Sequence, residues 1–273
     1  KTAGLLYAGT ETGIYLSNND GKNWSSMQLN LPIVPITDIA LKDDDLIVAT
    51  QGRGLWVIDD LEVIKQSMAS SSSTSKLFKP SDTYRIDGRQ NKNPKGAGKN
   101  HYSGVMSYFY INDYNEKEDT ITISYMTTNG DTINSYSTHT EEKSQKIKEL
   151  KKGSNSHNWN LRYPEAKKFD GMIFWWGSLA GSKVNPGEYT VSLNINGKSE
   201  NQKFKVLKDP RLNISDEDYQ EQTDFINSVN DKVTEAHEAI IEMRKLKDQI
   251  KAFQKNHKIE IIDLKISDID STL

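Results

Sequence analysis

Between Leu5 and Asp60 the chain is cut into five short runs of strand-forming residues: Leu5-Leu6-Tyr7-Ala8-Gly9, Gly13-Ile14-Tyr15-Leu16-Ser17, Thr37-Asp38-Ile39-Ala40-Leu41, Asp45-Leu46-Ile47-Val48-Ala49-Thr50 and Gly54-Leu55-Trp56-Val57-Ile58. Turn chemistry lies between them, with Asn19-Asp20-Gly21 and Asp43-Asp44-Asp45 at the sharpest points. Short runs bounded in this way form antiparallel sheet. Such a sheet has two faces to cover, and the apolar residues outside the runs are too few to cover both. The segment therefore reads as one unit of a repeat architecture, such as a single propeller blade, that cannot close on itself.

Size and charge bound the remainder. With 273 residues, 35% of them hydrophobic, the chain can bury one or two sizeable cores and is expected to form two or three modules. Its 35 basic and 38 acidic residues are mixed along the chain, for a net charge of −3, so no basic face points to nucleic acid or anionic lipid. There is no cysteine, which excludes disulfides, thiolate metal sites and CxxC redox chemistry but leaves the compartment open. No apolar run approaches the roughly 20 residues that span a bilayer, so no membrane insertion is expected and the chain reads as soluble. The opening Lys1-Thr2-Ala3-Gly4-Leu5-Leu6-Tyr7 has neither an initiator methionine nor the character of a signal peptide, and reads as the start of a fragment or processed piece.

Ser17-Asn18-Asn19-Asp20-Gly21-Lys22-Asn23-Trp24 resembles the Asp-box of neuraminidase-like and sortilin-like propellers, Ser-x-Asp-x-Gly-x-Thr-Trp. Ser17, Gly21 and Trp24 fit, whereas Asn19 and Asn23 replace the aspartate and threonine, with Asp20 as a neighbouring source of a capping carboxylate. The pattern is a folding device: an Asx-type side chain caps the turn, glycine supplies positive φ, and the tryptophan buries apolar surface beneath it. Around it stand Tyr7-Ala8-Gly9-Thr10-Glu11-Thr12-Gly13, Asn30-Leu31-Pro32, Thr37-Asp38-Ile39 and Ala49-Thr50-Gln51-Gly52-Arg53-Gly54-Leu55-Trp56-Val57-Ile58-Asp59-Asp60-Leu61. Together these resemble the last blade of bacterial BNR-repeat glycosyl hydrolases and sortilin-type propellers. The resemblance implies an exported protein, periplasmic or at the cell surface, whose other blades lie upstream or on a partner chain.

Residues 65–99 read as a linker, because Ser70-Ser71-Ser72-Ser73-Thr74-Ser75 is a low-complexity run that buries nothing. Asp87 to Lys99 is polar and rich in Gly, Pro and Asn, as in a surface excursion. Residues 100–210 read as a second β module, with alternation in Val105–Ile111, Thr120–Tyr125 and Gly187–Ile195, and a type I′ hairpin signal at Asn196-Gly197 leading to Gln202–Val206. Asn158-Trp159-Asn160-Leu161-Arg162-Tyr163-Pro164 and Pro186-Gly187-Glu188-Tyr189-Thr190-Val191 resemble the immunoglobulin-like sandwich that ends this family, which implies that Trp159 anchors the core and Pro186-Gly187 opens a strand.

From residue 211 to 273 a long helix and tail are expected. Ser215-Asp216-Glu217-Asp218 is a capping box, and Tyr219, Gln222, Ile226, Val229, Val233, Ala236, Ile240 and Met243 recur at spacings of three and four. The stripe continues through Leu246, Ile250 and Phe253, so a partner helix is expected along residues 216–254. Ile259 to Leu273 is amphipathic but short.

The sequence offers little chemistry. A glycosidase needs two carboxyl groups about 5 to 9.5 Å apart across a cleft, and Asp59 and Asp60, as neighbours, point to opposite sides of a strand. They read as caps of the last strand and its turn. Asp43-Asp44-Asp45 reads as a solvated hairpin tip, without the alternating oxygen spacing of a calcium loop. His101, His139, His157, His237 and His257 show no HxH or HExxH spacing and read as surface residues, and Gly177-Ser178-Leu179-Ala180-Gly181 is no nucleophile elbow. No catalytic, cofactor or metal site is expected.

Two binding candidates remain. In Gln51-Gly52-Arg53-Gly54 the two glycines would let the backbone aim Arg53 at an anionic group; the alternative is a β-bulge with Arg53 paired to an acid. In the cluster of Phe169, Phe174, Trp175 and Trp176, consecutive strand residues would send one indole into the core and leave the other for interdomain packing or for stacking on a sugar. The chain thus reads as mainly β: a terminal propeller blade (1–64), a linker, an immunoglobulin-like sandwich and a long α-helix. Its expected role is a non-catalytic stabilising or assembly region of a larger protein. The alternatives are part of a polysaccharide-active glycosidase with its acids in other blades, and a sortilin-like peptide-binding scaffold.

Overall fold

The computed structural model describes residues 3–68, 74–86, 101–173 and 175–256. Phe174, the polar excursion at 87–99, Ser70–Ser73 and the segment from Ile259 to Leu273 lie outside the described residues. The fold is mainly β with one long helix near its C-terminal end. Two compact units emerge, one of residues 1–159 with 187–207, the other of residues 160–186 with 208–273.

In the first unit all five N-terminal strand runs form, as two antiparallel sheets. One holds β1 (Leu6–Thr10), β2 (Gly13–Ser17) and the short β3 (Ser25–Ser26), and the other holds β4 (Ile36–Lys42), β5 (Asp45–Thr50) and β6 (Leu55–Ile58). Ile14, Leu16, Met27, Leu31, Leu46, Val48 and Leu61 make their shared core. The Ser17–Trp24 turn is capped as its residue types require. Asn19 Oδ1 accepts the Asn23 N–H at 2.8 Å and the Ser17 hydroxyl at 3.0 Å, Ser17 Oγ accepts the Gly21 N–H at 2.9 Å, and Gly21 has φ +82°. The cap is Asn19, not Asp20. Trp24 packs beside Gly21 but remains 43% exposed, so it shields the turn without entering the core.

Where the sequence suggested a strand end running into a linker, the chain forms helix α1 (Leu61–Met68). Its start is held from the β4–β5 turn: Asp44 O accepts the Leu61 N–H at 2.9 Å, and Asp44 Oδ2 accepts the Glu62 N–H at 3.0 Å. Asp44 is thus a helix cap supplied from 18 residues away. Within the tip read as solvated, it has a structural task.

Two more sheets complete this unit. The larger has the order β11 (Thr132–Ser137), β10 (Ile121–Thr127), β13 (Gly187–Ile195), β14 (Lys198–Leu207) and β8 (Thr83–Tyr84). The smaller has β12 (Gly153–Trp159), β9 (Val105–Ile111) and β7 (Lys76–Leu77). Strict alternation along β9 and β10 buries Val105, Ser107, Phe109 and Ile111 on one and Ile121, Ile123 and Tyr125 on the other. These inner faces meet: Trp159 is fully buried and stacks on Tyr125 at 4.5 Å, and the Tyr125 hydroxyl lies 2.9 Å from Ser107 Oγ. Trp159 is the core anchor the sequence suggested. Asn196 (φ +51°) and Gly197 (φ +86°) join β13 to β14 as a type I′ turn.

In the second unit, helix α2 runs from Asp216 to Asn256, 41 residues. Its capping box forms: Ser215 Oγ accepts the Asp218 N–H at 3.0 Å, while Asp218 Oδ2 accepts the Ser215 N–H at 3.2 Å. Residues 160–186 run along it without regular strands. Thr223, Asn230, His237 and Arg244, each seven residues after the last, bond respectively to Asn185 Oδ1 (2.7 Å), Ala180 O (3.2 Å), Lys167 O (2.5 Å) and Asp170 O (2.6 Å).

Candidate functional site

A group of interacting ionisable side chains forms just beyond the end of β6. Asp60 sits in the left-handed region (φ +58°) between β6 and α1, and its Oδ2 accepts from His101 Nε2 at 3.2 Å and from the Tyr108 hydroxyl at 3.1 Å. The other nitrogen of His101, Nδ1, faces the Tyr102 carbonyl at 2.9 Å. Both ring nitrogens thus face acceptors, which favours the doubly protonated imidazolium. The hydrogen bond to Asp60 raises the His101 pKa to about 9 against the opposing effect of burial. Burial pulls Asp60 upward, but its hydrogen bonds from His101, Tyr108 and Ser81, with the imidazolium charge, outweigh that and leave it lowered. The Tyr108 hydroxyl is pushed up by burial and then by Asp60. Asp45, at the start of β5, is raised by burial and by the charges of Asp59, Asp44 and Asp60.

This grouping ties residue 60 to residues 101 and 108, and no spacing in the sequence announces it. The sequence indicated that Asp59-Asp60 would cap the last strand and its turn; in the structure Asp60 stands two residues beyond β6 and directly before α1. Its carboxylate is engaged by His101, Tyr108 and Ser81, and only 12% of its side chain is exposed. The arrangement clamps the chain; it presents no open carboxylate pair to a substrate. Among the described residues no set of three or more His, Asp or Glu is placed to hold a metal ion.

Arg53 lies at the exposed tip of the β5–β6 loop, between Gly52 (φ +79°) and Gly54 (φ +73°). Its carbonyl accepts the Trp56 Nε1–H at 3.0 Å, and the Gly54 carbonyl accepts both the Thr50 N–H (3.1 Å) and the Thr50 hydroxyl (2.6 Å). The loop is therefore rigidified through backbone groups, and no acid pairs with the Arg53 guanidinium among the described residues.

Trp175 and Trp176 depart from their sequence reading. They lie in a bend of the 160–186 segment, not in a strand, and both are open to solvent at 83% and 97% exposure. With no pleat to alternate them, neither indole enters a core. Phe169 is the aromatic of this segment that packs: it meets His237 edge-to-face at 5.0 Å and carries the Arg244 guanidinium at 4.8 Å over its ring. The structure therefore keeps Arg53, in the first unit, and the two indoles, in the second, as exposed groups.

A candidate surface of another kind is a sheet face. On β4–β6 the side that carries Leu46, Val48, Trp56 and Ile58 enters the core, while Leu55 (74% exposed) and Val57 (52%) project from the opposite side beside the half-buried Ile47 and Ala49 of β5. Apolar residues line both faces of this sheet, and among the described residues Leu55 and Val57 leave one face largely open to solvent. No family model, curated protein or solved structure matches the chain.

Proposed function

We propose that the chain is a non-catalytic stabilising or assembly region of a larger exported protein, in which residues 1–64 act as the terminal blade of a β-propeller and residues 100–210 as an immunoglobulin-like sandwich. The observation that carries this reading is the largely open apolar face of β4–β6. Leu55 and Val57 alternate outward on a strand whose other face is already packed, and an edge strand with aliphatic side chains on both faces is costly to leave in water. A neighbouring blade covers such a face. The Asn19-capped turn and the engaged carboxylate of Asp60 agree with a scaffold and offer no acid pair to a glycosidic bond.

Side-chain footprinting of the protein purified from its native source, with intact-mass analysis of that material, tests the proposal. Leu29 and Ile33 are loop residues exposed at 72% and 79%, and serve as internal references for Leu55 at 74%. Labelling of Leu55 and Val57 far below that of Leu29 and Ile33 is the expected result. Equal labelling of all four would sink the blade reading.

A second reading, contact with a polysaccharide, is favoured by one observation: the adjacent Trp175 and Trp176 hold two flat apolar surfaces open to solvent. Quenching or a blue shift of tryptophan emission on titration with soluble polysaccharides, abolished in Trp175→Ala/Trp176→Ala, is the result it requires.

A further inference from the structure

Helix α2 has a second apolar surface that the described residues of its own unit leave exposed. The row formed by Thr223, Asn230, His237 and Arg244 is bonded to the 160–186 segment. At 100° per residue, the positions reached from Phe225 by alternating steps of four and three, up to Ile250, fall on the opposite side of the helix. Along that line Phe225 is 68% exposed, Val229 45%, Met243 39% and Leu246 47%. Ala236 and Ala239 are exposed at its middle, and Lys232 is the one polar residue on it. Apolar residues at a sustained 4-3 spacing over nearly four heptads form a coiled-coil seam about 38 Å long.

We infer that this seam binds the same seam of a second copy of the chain, in antiparallel orientation. Charge sets the direction. Residues 216–235 hold seven acids and one lysine, whereas residues 236–256 hold five bases and three acids. The helix dipole accounts for acids in the first turn only; Glu221, Asp224 and Asp231 lie beyond it. Parallel pairing lays acid on acid and Lys232 beside Lys232, while antiparallel pairing lays the acidic half of each helix along the basic half of the other. Asp224 then falls at the level of Lys251 of the second copy.

Size fits the same register. With the seams fully overlapped, Phe225 meets Ile250 of the second copy, Val229 meets Leu246, and Lys232 lays its aliphatic stem on Met243. Ala236 meets Ala239 at the two-fold axis, where small side chains let two helices approach. Glu235 and Glu242, which flank the seam, each carry a lysine of their own helix, Lys232 at 2.6 Å and Lys245 at 3.1 Å. The pairing is isologous and closes at two copies.

The inference stands apart from the blade reading: Leu55 and Val57 test that one, and the seam can be broken without touching them. Light scattering and sedimentation of the 273-residue chain, across micromolar to sub-millimolar concentration, should give twice its 30.9 kDa mass. Ala239→Glu, a good helix former at an exposed position, should weaken the dimer by ~100-fold or more by burying charge at the axis, with helical circular dichroism unchanged. Because the chain has no cysteine, orientation can be read by oxidation of single-cysteine variants. A mixture of Val229→Cys and Leu246→Cys should give the mixed disulfide, and each alone should give little. A monomer at every concentration, a dimer indifferent to Ala239→Glu, or cross-linking of each variant with itself overturns the inference.

Discussion

His157 gives the sharpest test of how the core of the first unit is built. It lies on β12 with its ring 4.4 Å from that of Tyr136 and stacked on Tyr125 at 6.1 Å, and its Nε2 is buried with no hydrogen-bond partner among the described residues. Burial lowers its pKa from 6.5 to about 4. A histidine with a depressed folded-state pKa contributes full stability above pH 6.5, where both states are neutral. That contribution is lost as pH falls, because only the unfolded chain takes up the proton. Between pH 6.5 and pH 4 the loss amounts to about 3 kcal/mol, at ~1.4 kcal/mol per pH unit with the curve flattening near 4. His157→Phe keeps a planar ring in the aromatic stack and removes both the proton site and the unsatisfied nitrogen. At pH 7 the variant should be more stable by about 1 kcal/mol, since a bare buried acceptor costs that much. At pH 4 the gap should widen to about 4 kcal/mol. Urea unfolding of both proteins from pH 7.5 to 4 measures the difference, and carboxylates that titrate in this range cancel in it. A gap that stays constant within about 0.5 kcal/mol across the series would refute the claim that burial keeps His157 neutral.

The Asp60–His101 pair should act with the opposite sign. His101 has a raised pKa, so its contribution is complete below pH 6.5 and disappears as pH rises through about 9. His101→Gln should cost about 1 kcal/mol at pH 6, a value reduced for solvent screening of a half-exposed ring, and nothing measurable at pH 10; thermal melts at the two pH values check this. Gly181→Ala should destabilise the second unit by about 3 kcal/mol, because its Cβ would stand 2.2 Å from the Tyr163 carbonyl oxygen, which is backbone and cannot turn aside. Loss of the α2 protection pattern in hydrogen exchange, with that of β9 and β13 retained, is the expected signature.

The sequence was most informative where one physical rule acts alone. Strict alternation marked β9 and β13 because each has one face in the core. Asn196-Gly197 marked its turn because both residues tolerate positive φ, and Ser215 with Asp218 marked the start of α2 because the two groups satisfy each other within one turn. Legibility failed where the partner is distant. Helix α1 has only eight residues, and its first N–H groups are met by Asp44 across the β4–β5 turn. Nothing within its own sequence explains why it starts there. β12, Gly-Ser-Asn-Ser-His-Asn-Trp, carries almost no strand-forming residues and becomes a strand through its ladder with β9. The Asp60, His101 and Tyr108 cluster is gathered from three separate places, and the only local hint was the position of Asp60 just beyond a strand end.

The helix stripe shows the limit most clearly. Hydropathy at spacings of three and four drew one stripe from Tyr219 through Gln222, Ile226, Val229, Val233, Ala236, Ile240 and Met243, continued by Leu246, Ile250 and Phe253, and that stripe asked for a partner. In the folded chain a line of hydrogen bonds to residues 160–186 is made through Thr223, Asn230, His237 and Arg244, polar residues that meet carbonyl and amide oxygens of a segment without regular strands. A stretch of irregular backbone beside a helix leaves acceptors that need donors, and donors are invisible to a hydropathy count. Once the polar row is assigned to the chain's own segment, the apolar row opposite it cannot serve the same contact. An exposed line from Phe225 to Leu246 therefore needs a different explanation from the one that suffices for Tyr219, and an occupant with its own 4-3 spacing and the reverse order of charge satisfies it.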